Sequence, residues 1–233
     1  MKPKKEQLFY FDCEWVPVVQ DYFNLKMDFP LLADAFEHQV EKWRDKDDPY
    51  RLDPPGASQY WDERAHMSPE FCKIVCVSYG YFNKGNFFIK SLYGEDEKKL
   101  LKPIPALFEK VGSSGYYLCG YAIKRYDMPW LSKRLMANGF KPPSNLCVYG
   151  KKPWDVEVFD LPEVWGQGCN QESYTPFEVA CAAVGLESSK DDLAGPQVKE
   201  AFWNGEIERI KTYCEKDVLK TKELAVILID LLP

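Results

Sequence analysis

Residues 7–16 read QLFYFDCEWV. Aromatic and aliphatic side chains fill most of these positions, and two acids are set among them. Such a run reads as a β-strand buried on both faces. On a strand, positions two apart point the same way, so Asp12 and Glu14 stand side by side on one face of it.

Downstream, FCKIVCVSYGYF (71–82) and NFFIKSLY (86–93) read as two further strands, joined through NKG into a hairpin-like pair. EDEKKLLKPIPALFEKVG (95–112) reads as a helix interrupted at Pro103 and Pro105, and YYLCGYA (116–122) as a fourth strand. RYDMPWLSKRLMANGF (125–140) is a punctuated helix, with Asp127 at its start, Pro129 two residues later and Gly139 at its end. A fifth strand is expected over WDVEVFDL (154–161), and helices over 175–186, 197–205 and 206–232. A hairpin group followed by βαβ units predicts an α/β fold, a mixed five-stranded sheet flanked by helices. Residues 17–68 are polar, acidic and proline-containing, with a helix expected over 31–46 and loop through RLDPPGASQYWDE (51–63). They read as an insertion after the first strand of a single domain spanning 1–233.

Composition narrows the function. With 45% hydrophobic and 28% charged residues, the chain is an ordinary globular one. A net charge of −6 argues against coating nucleic acid by bulk electrostatics. It is compatible with a nuclease whose bound cations meet the phosphate. Eight Cys without any C-x-x-C spacing, and only two His, exclude a zinc site of the usual kind. Several Cys lie in apolar runs, as expected of a reduced, cytoplasmic protein. The N-terminal stretch does not read as a signal peptide, and no membrane partner is expected. No P-loop, G-x-S-x-G or strand-linked G-x-G-x-x-G occurs.

Three segments carry candidate chemistry. Asp12 and Glu14, as neighbouring carboxylates in an apolar strand, need a cation, unless that strand has one wet face. On the last helix, Ile210, Tyr213, Cys214, Asp217, Thr221, Leu224, Ala225 and Leu228 follow steps of three and four and form one stripe. Asp217 interrupts this apolar stripe and is either a ligand or a satisfied half-buried acid. Asp127 stands where an N-cap belongs, and at a strand-to-helix junction it can also face a site at the strand ends.

These segments together resemble one family pattern. FDCEW, GYAIKRYDMPWL and YCEKDVLKT, in this order, resemble the three motifs of the DEDD exonucleases, in the Tyr-containing branch. Within that branch they are similar to the proofreading exonuclease domain of family B DNA polymerases. The resemblance implies a ribonuclease-H-like fold and 3′–5′ exonuclease activity. It implies two divalent cations, Mg²⁺ or Mn²⁺, held by Asp12, Glu14, Asp127 and Asp217, with Tyr213 orienting the attacking water. The implied substrate is a single-stranded 3′ end of nucleic acid, DNA ahead of RNA. An RNA-directed enzyme and a binding domain without catalysis are the alternatives. Cys13, Trp15, Tyr126 and Trp130 flank the ligands and are candidates for substrate contact, with core packing as their other role. The other branch has His five positions before the last Asp, where this chain has Thr212. Two departures stand out. Ala122 replaces the family's usual Asn, which bears on substrate handling. The 17–68 insertion has no counterpart and is a candidate surface for a protein partner.

Overall fold

The first strand, β1 (Leu8–Pro17), lies at the centre of a five-stranded sheet. In the computed structural model, which describes residues 2–47, 56–152, 155–167, 175–187 and 192–233, the strand order is β3-β2-β1-β4-β5. The others are β2 (Cys72–Asn83), β3 (Asn86–Tyr93), β4 (Tyr117–Gly120) and β5 (Val158–Asp160). β2 and β3 form the expected antiparallel hairpin, while β1, β4 and β5 pair in parallel. The mixed α/β sheet flanked by helices is thus the architecture of the chain.

Central placement explains the composition of β1. Phe9 and Phe11 pack edge-on against Phe108 on one face. Leu8 and Tyr10 belong to the core of the opposite face, with Val218, Leu224, Ala225 and Leu228. Those four residues lie on the long C-terminal helix α10 (Ile207–Leu231). The face of β1 that begins with Leu8 and Tyr10 therefore continues into Asp12 and Glu14, toward the same helix.

Helices α4 (Glu97–Leu101) and α5 (Ile104–Ser113) replace the single interrupted helix, with the break at Lys102 and Pro103. The fourth and fifth strands are shorter than their sequences suggest. β4 stops at Gly120, and Leu161 already opens α7 (Leu161–Gly166). Trp154, the expected start of the fifth strand, lies outside the described residues, as do Cys169 and the Arg51–Pro55 part of the expected loop. The remaining helices are α6 (Asp127–Ala137), α8 (Phe177–Ala183) and α9 (Val198–Trp203). No helix among the described residues is long and apolar enough to cross a membrane.

The chain divides into two compact units, one of residues 1–14 and 74–233, the other of residues 15–73. The second holds α1 (Tyr22–Asp28), α2 (Pro30–Asp47) and α3 (Ala57–Arg64). The stretch 57–63, expected as loop, is therefore helical. Its signal was masked by the preceding prolines and Gly56. Tyr60 and Trp61 supply the reason for the helix, since both are buried in a cluster with Phe36 and Phe71. A helix this short draws its stability from such packing rather than from propensity.

In the first unit, one buried carboxylate ties three elements together. Glu97 accepts the Ile74 backbone N–H at 2.7 Å, the Arg134 guanidinium at 2.9 and 2.6 Å, and the Asn138 amide at 2.8 Å. It thereby locks α6 to β2 and α4. Glu97→Ala would remove this paired acceptor from Ile74, Arg134 and Asn138 together and is expected to destabilise the protein by about 3 kcal/mol. Urea denaturation, with the slope unchanged, is the check.

Candidate metal centre

The acidic end of β1 is where the carboxylates gather. Asp12, Glu14 and Cys214 each offer a ligand atom within 4.8 Å of the others. Asp127 and Asp217 lie outside that trio but act on it directly. The charges that most affect Asp12 are those of Asp127 and Asp217, and Glu14 responds to Asp12 and Asp217. All four carboxylates singled out in the sequence thus occupy one electrostatic neighbourhood.

Each acid is positioned by a different device. The strand pleat sets Asp12 and Glu14. Asp217 is buried on the inner stripe of α10, one turn after Tyr213. That helix is fastened to β3 by two polar contacts: the Ser91 hydroxyl donates to Glu215 at 2.7 Å, and the Tyr93 hydroxyl to Glu208 at 2.7 Å. Asp127 is the first residue of α6, and the N-cap position belongs to Tyr126, without a side-chain cap. Capping is therefore not the role of Asp127. Its Oδ1 accepts the Cys13 backbone N–H at 2.9 Å, a bond that joins α6 to β1 between the two strand acids.

The turn leading to Asp127 is tightly specified. Ala122 adopts φ 61°, a left-handed conformation unusual for a residue with a Cβ. A Cβ on Gly120 would come within 2.1 Å of Ile123 Cγ2, so only glycine fits there. Asp160, at the end of β5, accepts the Ile123 N–H at 3.2 Å and the Lys124 N–H at 3.1 Å. Sequence reasoning passed over Asp160 as a strand residue and placed Cys214 only on the core stripe. The Cys214 thiol in fact donates to Asp12 Oδ2 at 3.3 Å. For Asp160 a signal existed: Asp before Leu-Pro marks a helix start. For Cys214 the signal was only its adjacency to Tyr213.

The flanking side chains differ in access. Cys13 and Trp130 are closed off from solvent, whereas Tyr126 is 36% exposed, with the Arg125 guanidinium over its ring. The Trp15 indole N–H donates to the His66 carbonyl at 3.1 Å.

Burial, followed by mutual repulsion, sets the electrostatics. Asp12 and Glu14 are half-buried by surface, yet desolvation is the leading cause that raises both well above the carboxylate range. Asp127 is pushed up to about 7, mainly by burial, and Asp160 to about 6 for the same reason. The Tyr213 phenol is also raised, by burial first and then by the charges of Glu14, Asp217 and Asp12. Oxygen-rich, mutually repelling donors of this kind fit hard divalent cations such as Mg²⁺ or Mn²⁺.

Comparison with known proteins supplies the family and the fold. Residues 64–224, well over half of the chain, match the family described as "predicted 3′–5′ exonuclease related to the exonuclease domain of PolB". The fold is similar to that of the family B DNA polymerase of the hyperthermophilic archaeon Pyrobaculum calidifontis, with a TM-score of 0.56 at 16% identity. That similarity covers 97% of this chain and 25% of the polymerase. No curated protein sequence matches.

The raised carboxyls predict an unusual pH response. The unfolded chain releases these protons near the ordinary value of 3.8, while folded Asp160 and Asp127 hold theirs to about 6 and about 7. Between those values the folded state binds more protons, so their contribution to stability falls as pH rises from about 4 to about 7. Added Mn²⁺ should relieve the repulsion and compete with protons. Thermal melts at pH 5.5 and pH 8 are expected to show a larger Mn²⁺-induced rise in Tm at pH 8.

Proposed function

Because the chain belongs to the family of predicted 3′–5′ exonucleases related to the exonuclease domain of PolB, we propose that it hydrolyses the terminal phosphodiester of a nucleic acid 3′ end. In this reading it is a metal-dependent enzyme of the Tyr-containing DEDD branch on a ribonuclease-H-like fold. A single-stranded DNA end is its first substrate, and a reducing, cytoplasmic setting suits its free thiols. The observation that carries the reading is the gathering of Asp12, Glu14, Asp127 and Asp217 from three separate segments into mutual repulsion, with Tyr213 beside them.

Asp12, Glu14, Asp127 and Asp217 would hold the cations. When bound, Mg²⁺ or Mn²⁺ supplies charge neutralisation at the phosphoryl oxygens and lowers the pKa of an attacking water. The chain's own residues do the rest. Tyr213 keeps its proton, because burial and three neighbouring acids disfavour the phenolate. It is therefore no base. Its hydroxyl oxygen keeps lone pairs that accept a hydrogen bond from the water, which orients the attack. The water oxygen bonds to phosphorus as the bond to the 3′-oxygen of the preceding nucleotide breaks. A nucleoside 5′-monophosphate departs, and the strand is shorter by one. The half-exposed ring of Tyr126 is a surface on which a terminal base can stack. The 17–68 insertion is the candidate surface for a protein partner.

A time course on 5′-labelled single-stranded, recessed and blunt DNA and RNA, with Mn²⁺, Mg²⁺ or EDTA, is the test. The expected result is a ladder shortening from the 3′ end, abolished by EDTA and by Asp12→Ala. Tyr213→Phe is expected to retain activity reduced roughly 10- to 100-fold, the worth of one charge-assisted hydrogen bond. Binding of oligonucleotide without cleavage by folded wild type would instead point to a binding domain that has lost catalysis.

A further inference from the structure

Asp160 begins a helix but does not serve it. It occupies the N-cap position of α7, yet its side chain makes no capping bond there. Both carboxylate oxygens turn the other way: Oδ1 accepts the Ile123 N–H at 3.2 Å and Oδ2 the Lys124 N–H at 3.1 Å. Asp160 is 4% exposed. An acid this enclosed, facing successive backbone N–H groups, is the protein's own version of an anion bound in a backbone nest.

The turn it grips is one the chain would not adopt unaided. Ala122 is held at φ 61°, and the turn closes with the Arg125 and Tyr126 N–H groups both on the Ala122 carbonyl at 3.0 Å. The Met128 N–H then meets the Ile123 carbonyl at 3.0 Å, and α6 starts at Asp127. Ile123 itself is buried against Gly120, where no Cβ fits. A left-handed alanine carries a conformational cost of roughly 1–2 kcal/mol that something nearby must offset. Asp160 is the group placed to do so, through N–H groups four and three residues before Asp127, whose position the turn determines.

We propose that Asp160 is a positioning residue: by anchoring the 122–124 turn it sets the place of Asp127 in the metal centre. The inference rests on the reading of Asp127 as a ligand. The hydrogen bonds of Asp160 go to the turn, and its charge is also felt by Asp127. It acts through the turn, much as outer partners orient ligands in other metal sites. Asparagine cannot replace it. One oxygen would remain for one N–H, and the amide NH₂ would confront the other donor to donor.

The test compares wild type, Asp160→Asn and Glu163→Gln. The last breaks the ion pair of 2.7 Å between Lys124 and the exposed Glu163 on the same turn, and is the control. Three quantities are read: Mn²⁺ affinity by calorimetry without substrate, amide exchange of Ile123 and Lys124 by NMR, and kcat against KM on a 3′-labelled strand. Asp160→Asn is expected to weaken Mn²⁺ binding at least fivefold, to speed exchange at both amides, and to lower kcat at least tenfold with KM changed under threefold. Glu163→Gln should leave all three near wild type. A variant that melts lower but keeps wild-type Mn²⁺ affinity and kcat would overturn the proposal. So would Ile123 and Lys124 amides that exchange in the wild type like an open loop, a measurement that decides even if Asp160→Asn does not fold. A wild type that binds Mn²⁺ but cleaves nothing would count against the exonuclease reading alone, since affinity and exchange still judge Asp160.

Discussion

The hydrogen bond from the Cys13 backbone N–H to Asp127 Oδ1, 2.9 Å long, joins groups 114 residues apart. It places the carboxylate of α6 against the strand that carries Asp12 and Glu14. Those acids repel one another in a poorly solvated corner, and left to themselves they would separate or neutralise. The fold must hold them together against that repulsion. Much of the first compact unit can be understood as that restraint.

Three kinds of restraint are visible. The central strand is rigid because both of its faces are packed, by Phe108 on one side and by α10 on the other. The last helix is fixed along its length by apolar contacts and near its start by Ser91 and Tyr93. The helix bearing Asp127 is pinned at both ends. Glu97 grips Arg134 and Asn138 toward its C-terminus, and Asp160 grips the turn before its N-terminus. Buried carboxylates thus serve two ends in this protein. Glu97 and Asp160 are satisfied by donors and hold structure. Asp12 and Glu14 are raised first by burial and then by other acids, the pattern on which their candidacy as a functional pair rests.

The same contrast explains the left-handed alanine. Strained backbone persists where the surroundings over-determine it, and such places cluster at functional sites. Around Ala122 the surroundings are Asp160, Gly120 and the hydrogen bonds that open α6. Asparagine tolerates this conformation better than alanine. The chain keeps the turn without the residue that makes it easy, which increases what it asks of Asp160.

Sequence alone determined the features that repeat along the chain. The doubly covered strand at 7–16, the hairpin of β2 and β3 and the apolar stripe of α10 follow from periodicity, because side-chain direction repeats every two residues on a strand and every 3.6 on a helix. The four acids stood out for the same reason: each breaks such a pattern or sits at its boundary. Tertiary structure decided what periodicity does not encode. It made a helix of 57–64 by burying Tyr60 and Trp61, and it ended β4 at Gly120 rather than at Ala122. It took Asp127 away from capping and gave it to Cys13, and it turned Asp160 from its own helix to a distant turn. Each of these outcomes depends on partners tens of residues away, and a hydrogen bond or buried ring is chosen by which donors and cavities come within a few ångströms once the sheet has closed.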